Sequence, residues 1–478
     1  MEEMRMDDDA NYDANCDANC DDGPVGVADL DIPADFEMGV ATSAWQIEGD
    51  LAGRGRCNWD DFADTPGKIV DGATGDPACD HVHRYQEDLE LLSWLGVDAY
   101  SFTFSWARVL PGGVGKPSSS GLDFYDRLID GLLERGINPF ATLFHWDTPA
   151  ELEAQGGWTQ RSTAEAFAEY AQLLADRYSD RIQRWATLNE PWCPSFLGYA
   201  AGYFAPGHTD GAEALAAGYH LMLGHGWAIE RLRSAGARNL GIIINVIPTV
   251  TDDPAMADAT RHVDGIQNRY WLDLLAGRGI PADIRENCAD LTDWSFVRES
   301  DLPIIAAPID WVGENYYSVN RVASIENAGS AAIGQDASMF PGAPPHAFAP
   351  RPPFTDMGWE IVPSGIRMAI EQVAEALPGV PIYICENGAA VEESTDESGI
   401  HDPVREKYLH DHIAEVLKAR ADGLDVRGYN AWSLLDNLEW ASGWTKKFGL
   451  IRVDPDTGER TVKDSARWYQ RQLARRSQ

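Results

Sequence analysis

The chain has 478 residues, 44% of them hydrophobic, and a formal net charge of −38 from 76 acidic and 38 basic side chains. That length holds one large barrel or two to three ordinary domains. The charge argues against nucleic acid and anionic membranes as partners, because such a surface repels both, and no run of about 18 apolar residues provides a membrane span.

Residues 1 to 28 lack the basic start and apolar core of a signal peptide, so a cytoplasmic location is expected. Asp9-Ala10-Asn11-Tyr12, Asp13-Ala14-Asn15-Cys16 and Asp17-Ala18-Asn19-Cys20 repeat an acidic tetrapeptide poor in large apolar groups. Such a segment cannot bury enough surface to offset its ordering entropy, and a disordered tail is expected ahead of a folded unit at 29–478. Seven basic residues are lysine and 31 are arginine. Excess carboxylate with scarce lysine fits a protein working in salt, where screening relieves self-repulsion, and equally an acidic protein from a GC-rich genome. Seven cysteines without a Cys-x-x-Cys spacing point to reduced thiols rather than a disulfide scaffold or a zinc site.

From Phe36 onward eight apolar runs read as strands, near 36–45, 98–106, 139–146, 184–190, 241–247, 309–317, 381–386 and 427–435. Helical periodicity lies between them: Tyr125, Leu128, Ile129, Leu132 and Leu133 share one face, as do Phe167, Tyr170, Leu173 and Leu174. Eight strands alternating with helices predict an α/β fold, a single (β/α)8 TIM barrel with elaborate βα loops. The longest irregular stretch, about 318–356, follows strand six and is expected over the barrel mouth.

Polar residues collect at the predicted strand ends. Gln46 ends strand one, His145 and Trp146 strand three, Asn189 and Glu190 strand four. Asn315 and Tyr317 end strand six, Glu386 strand seven and Trp432 strand eight, with Glu439 and Trp440 just beyond. A lone strand-end histidine is usually hydrogen-bonded structure and a barrel tryptophan usually core, but the clustering at one face is not explained that way. Glu190 and Glu386 each close an apolar run, where a carboxylate is costly unless paired or at work. Two carboxyls converging on one sugar are the minimum for cleaving a glycosidic bond. Cys193 and Cys385, beside them, are expected as small apolar packing. His81-x-His83 has no accompanying ligand set, so no metal or other cofactor is expected.

These stretches resemble glycoside hydrolase family 1, the β-glucosidase and β-galactosidase family, from about Asp35 to Gln472. Thr187-Leu188-Asn189-Glu190-Pro191 is similar to the family's acid/base motif and Ile384-Cys385-Glu386-Asn387-Gly388 to its nucleophile motif. The run from Phe36 to Gly49 resembles its opening strand, and Asn315-Tyr316-Tyr317-Ser318 and Trp432 through Trp440 complete the set. The resemblance implies a retaining, exo-acting β-glycosidase of the glucosidase, galactosidase or fucosidase kind, hydrolysing a terminal non-reducing residue through a covalent glycosyl-enzyme. It implies Glu386 as an ionised nucleophile assisted by Tyr317, and Glu190 as a proton-bearing acid that later serves as base. Asn189 resembles the residue holding the 2-hydroxyl; Gln46, His145, Glu439 and Trp440 those holding the 3-, 4- and 6-hydroxyls; Trp432 the floor beneath the ring. Trp192 and Trp359 are expected on the aglycone side. The partner is then a small β-glycoside or oligosaccharide, and a homo-oligomer stays open.

Two alternatives remain in the sequence. Relatives acting on 6-phosphorylated sugars lack the Glu439-Trp440 pair, and an acidic side chain there repels a phosphate. The family reads Tyr-Arg-Phe-Ser on strand two, whereas this chain reads Tyr100-Ser101-Phe102-Thr103. Loss of that cation favours a catalytically impaired sugar-binding barrel, or a weakened enzyme whose nucleophile pKa is raised.

Overall fold

The computed structural model describes residues 27–329, 332 and 335–476. Most of the tail expected at 1–28, with its tetrapeptide repeat, lies outside the described residues.

Eight strands form a closed parallel barrel: β1 (Glu37–Ala41), β2 (Ala99–Thr103), β3 (Asn138–Phe144), β4 (Arg184–Asn189), β5 (Leu240–Ile244), β6 (Trp311–Asn315), β7 (Ile382–Asn387) and β8 (Val426–Trp432). Consecutive strands pair, and β8 closes on β1 with Gly39 opposite Asn430 and Ala41 opposite Trp432. Between them run α1 (His81–Leu95), α2 (Ser119–Glu134), α3 (Arg161–Tyr178), α4 (Gly211–Ser234), α5 (Ala257–Asp264), α6 (Pro363–Ala376) and α7 (Pro403–Ala421), with α8 (Asp464–Arg476) last. Parallel strands need such crossovers, and the helices cover the outer face of the barrel.

The strands are shorter than the apolar runs predict, because the runs continue past the last ladder bond. Strand one ends at Ala41, so Gln46 sits on the helical turn Ala44–Ile47 rather than at a strand end. His145 and Trp146 follow β3, Glu190 follows β4, and Tyr317 lies two residues past β6. On α2, Tyr125, Leu128, Ile129 and Leu132 are buried, but Leu133 is 40% exposed. A turn of about 100° per residue puts Leu133 at the edge of that stripe.

Inside the barrel, Phe140, Ala186, Ile243, Trp311 and Cys385 form one apolar layer. Gly313 makes room there, since an added Cβ would lie 2.6 Å from Cys385 Sγ. Below it, at the amino ends of the strands, Arg184 pairs with Glu37 and lies 4.0 Å from the Tyr383 ring centre. The interior is filled from beneath, so a ligand space can open only at the carboxyl ends. The stretch after β6 is not wholly irregular: Asn320–Ala323 pairs with Thr249–Val250 and Ala347–Phe348 in a small sheet, and Ser318, Asn320, Gln335 and Phe340 from it line the mouth.

Candidate active site

The carboxyl ends of the strands open onto a pocket whose lining includes both Glu190 and Glu386. Glu190 leaves the ladder at once: its N–H donates to Ile243 O at 2.9 Å and its φ is +45°. Trp146 and Trp440, also lining the pocket, have φ of +76° and +46°. Non-glycine residues in the left-handed region are uncommon and concentrate at functional sites, where packing over-determines them.

Among the described residues, each glutamate is met by neutral donors. Asn315 Nδ2 donates to Glu190 Oε1 at 2.6 Å and to Asn189 Oδ1 at 3.1 Å. Cys193 Sγ donates to Glu190 Oε2 at 3.0 Å. Tyr317 Oη donates to Glu386 Oε2 at 2.8 Å. Burial raises the pKa of Glu190, opposed by the Cys193 and Asn315 bonds. Burial, then the charge of Glu190, pushes Glu386 well above the ordinary carboxylate range, while the Tyr317 bond pulls it down. Burial disfavours ionisation of both carboxyls, and the charge of Glu190 adds to that on Glu386. Burial thus works against the charge expected on Glu386, and Tyr317 supplies the local bias towards it.

Of the residues expected to hold sugar hydroxyls, His145, Glu439 and Trp440 line the pocket, whereas Asn189 and Gln46 are buried outside the lining. His145 is buried and driven down to about 3, so it is a neutral imidazole. Its Nε2 accepts from Asn189 Nδ2 at 3.2 Å. The rings of Trp432 and Trp440 lie 6.0 and 5.6 Å from that of His145. Glu439 lines the pocket, and burial followed by the charge of Glu190 raises it to about 8. Its Oε2 has no partner among the described residues. Gln46 is fully buried and not part of the lining; its Nε2 donates to Asn437 Oδ1 at 3.0 Å and Leu438 O at 2.7 Å, so it holds the loop that carries Glu439.

Trp192 and Trp359 also line the pocket, Trp192 near Phe340 and Trp359 with its ring 5.5 Å from Tyr317. Sequence reasoning missed four amides in the lining: Asn245, Gln267, Asn320 and Gln335. Gln267 Oε1, Asn320 Nδ2 and Gln335 Oε1 have no partner among the described residues. Asn245 and Gln335 come from loops, Gln267 from the π-helical turn Gly265–Arg269 and Asn320 from the first residue of a four-residue strand, stretches too short or irregular for period 2 or 3.6 to mark a face. Cys193, expected as apolar packing, is instead a hydrogen-bond partner of Glu190; Cys385 does pack in the barrel core.

No lysine or arginine among the described residues lines the pocket. Ser101 is opposite Ala41, as Trp432 is on the other side, which places it at the level of the pocket floor. His81 pairs with Asp88 and His83 with Asp80, so the two histidines do not share a partner. Among the described residues no group of three or more His, Cys, Asp or Glu side chains is arranged for a metal ion.

The family model of glycosyl hydrolase family 1 matches residues 29–477. The thermostable β-glucosidase B of Thermobispora bispora is 42% identical over 450 residues, covering 94% of this chain and 92% of the relative. The bifunctional β-D-glucosidase/β-D-fucosidase of Bifidobacterium breve is 43% identical over 457 residues, covering 92% and 98%. The crystal structure of the psychrophilic β-glucosidase of Micrococcus antarcticus superimposes with a TM-score of 0.89 at 42% identity, over 94% of this chain and 98% of that one.

Proposed function

The chain belongs to glycosyl hydrolase family 1 and is a glycoside hydrolase of the β-glucosidase type; on that premise we propose that Glu386 and Glu190 carry its retaining reaction. Glu386 attacks the anomeric carbon of a terminal non-reducing β-D-glycosyl residue while Glu190 protonates the departing oxygen. Formation of the glycosyl ester removes the charge on Glu386, so Glu190 becomes the stronger acid and its carboxylate takes a proton from water. Water then cleaves the ester, and the anomeric configuration is retained.

The observation that carries this assignment is the pair of carboxyls in one pocket, each held by neutral donors, with no cation beside either among the described residues. Asn315 fixes Glu190 and Asn189 together, and Tyr317 acts on Glu386. Trp432 forms the floor beneath the ring, and His145, Asn189, Glu439 and Trp440 face its hydroxyls, with Gln46 acting through the Asn437–Leu438 loop. The lining amides with their unfilled valences, together with Trp192 and Trp359, suit a hydroxyl-rich leaving group such as a second sugar. Absence of a basic lining residue speaks against a phosphorylated sugar.

A 2-deoxy-2-fluoroglucoside with a good leaving group tests the roles. Trapping followed by peptide mass spectrometry is expected to place the label on Glu386, and a label on any other residue overturns the assignment. We assign residues 29–478 as one catalytic unit acting in the cytoplasm, supported by five buried free cysteines among the described residues and by no described helix long and apolar enough to cross a membrane. For the acidic surface the expectation is activity maintained in molar KCl; a steady fall as KCl rises rules that out.

A further inference from the structure

Glu314 precedes Asn315 on β6, so its side chain points to the opposite face of the strand from the pocket. It is fully buried, in register with Ile244 on β5 and Ile384 on β7. A leucine would suit that face, and a carboxyl without a cation is costly there. Its partner is a backbone donor: Val246 N donates to Oε1 at 3.0 Å and to Oε2 at 3.2 Å.

Val246 lies in a segment clamped on both sides. Gln267 Nε2 donates to Asn245 O at 3.1 Å, and Asn268 bonds both the N–H and the carbonyl of Ile247, at 2.9 and 3.0 Å. Asn245 Nδ2 in turn reaches Cys193 Sγ at 3.7 Å, the thiol that donates to Glu190 Oε2. We infer that Glu314 is a positioning residue for Glu190: by accepting the Val246 N–H it sets the 245–247 segment, which presents Asn245 to Cys193 and so fixes the carboxyl that Cys193 holds. The inference rests on the acid/base role proposed above for Glu190. The titratable groups among the described residues that feel Glu314 electrostatically are Glu190, Tyr316 and Cys385, none of them a cation; burial raises Glu314 well above the ordinary carboxylate range, the Val246 bond opposes this and the Glu190 charge adds to it.

The test compares Glu314→Leu with Glu314→Gln on two aryl β-glucosides, phenyl and dinitrophenyl. Only the phenyl leaving group needs protonation, so Glu314→Leu is expected to lose about tenfold in kcat/KM on it and little on the dinitrophenyl compound. Glutamine keeps an oxygen for Val246 and is expected to restore both activities. Equal losses on both substrates, a glutamine variant as damaged as the leucine one, or no loss in either variant overturns the role. Should Glu314→Leu not fold, Asn245→Ala is expected to show the same selective loss, and an unaffected phenyl rate in that variant overturns the inference. Glu190→Gln, run alongside, separates the two claims: if it shows no dependence on the leaving group, the acid/base assignment fails first.

Discussion

Two sets of buried carboxyls in this barrel live in opposite surroundings. Behind the strand-eight loop, Glu393 meets Arg405 at 3.1 Å, Arg452 at 2.9 Å and Lys463, and Lys463 also donates to Asp436 at 2.8 Å. Although burial opposes it, Lys463 and Arg405 hold Glu393 down at about 2. In the pocket, Glu190, Glu386 and Glu439 have no cation partner among the described residues, and burial raises all three. Asp436 shows that a partner does not always win, since burial outweighs the lysine it shares with Glu393. Pairing turns a carboxyl into a fixed structural charge; withholding a partner leaves a proton that can move at neutral pH, which acid/base work needs.

Changing one member at a time breaks or sharpens this contrast. Glu190→Gln removes the mobile proton, and kcat/KM on unactivated glucosides is expected to fall by about 10²–10⁴-fold, with a smaller loss on dinitrophenyl glucoside. Steady-state kinetics on both substrates checks it, and equal losses would dissolve the distinction. Glu393→Gln attacks the paired set: unfolding in urea is expected to show a loss of about 3 kcal/mol near neutral pH, because charges remain buried with fewer partners. The folded pKa of about 2 lies below the unfolded 4.5, so the wild-type contribution is present above pH 4.5 and lost as pH falls through 2. The glutamine variant should lack that acid-side decline.

Ser101→Arg would bring a cation into the unpaired set. It is expected to lower the pKa of Glu386 and to move the acidic limb of the pH–rate profile down by about one unit, with higher activity at acid pH. A folded variant with lower activity and an unmoved limb contradicts the view of Ser101 as a missing partner. Glu439→Gln tests the unpaired set through stability rather than rate. A folded pKa of about 8 against 4.5 unfolded means that this group contributes stability below pH 4.5 and loses it as pH rises through 8. Melting temperature should therefore fall less steeply between about pH 5 and 9 in the variant than in the wild type.

Much of this was legible in the chain. The eight apolar runs appear as the eight barrel strands in order, and Glu190 and Glu386 fall at the ends of two of them, because parallel strands buried on both faces read as continuous apolar runs. Their ends were less legible: Gln46 sits beyond β1 on a helical turn, since apolar character outlasts the ladder there. Glu314 went unseen because Asn315 beside it drew attention to the other face of the strand. Cys193 looked like packing, for a thiol's hydrogen bond depends on where a neighbouring carboxyl turns, which no spacing encodes. The amides at 245, 267, 320 and 335 converge from separate short segments, and only the tertiary fold brings them together.

The left-handed backbone at Trp146, Glu190 and Trp440 bears on any attempt to reshape the pocket. Valine, isoleucine or threonine at these sites would carry a conformational penalty of about 1–3 kcal/mol before touching a ligand, whereas glycine or asparagine adopts the same backbone readily. A randomised library at 146 or 440 will therefore return glycine and asparagine among its well-folded clones irrespective of the glycoside used for selection, and their enrichment should be discounted before any specificity is inferred from it.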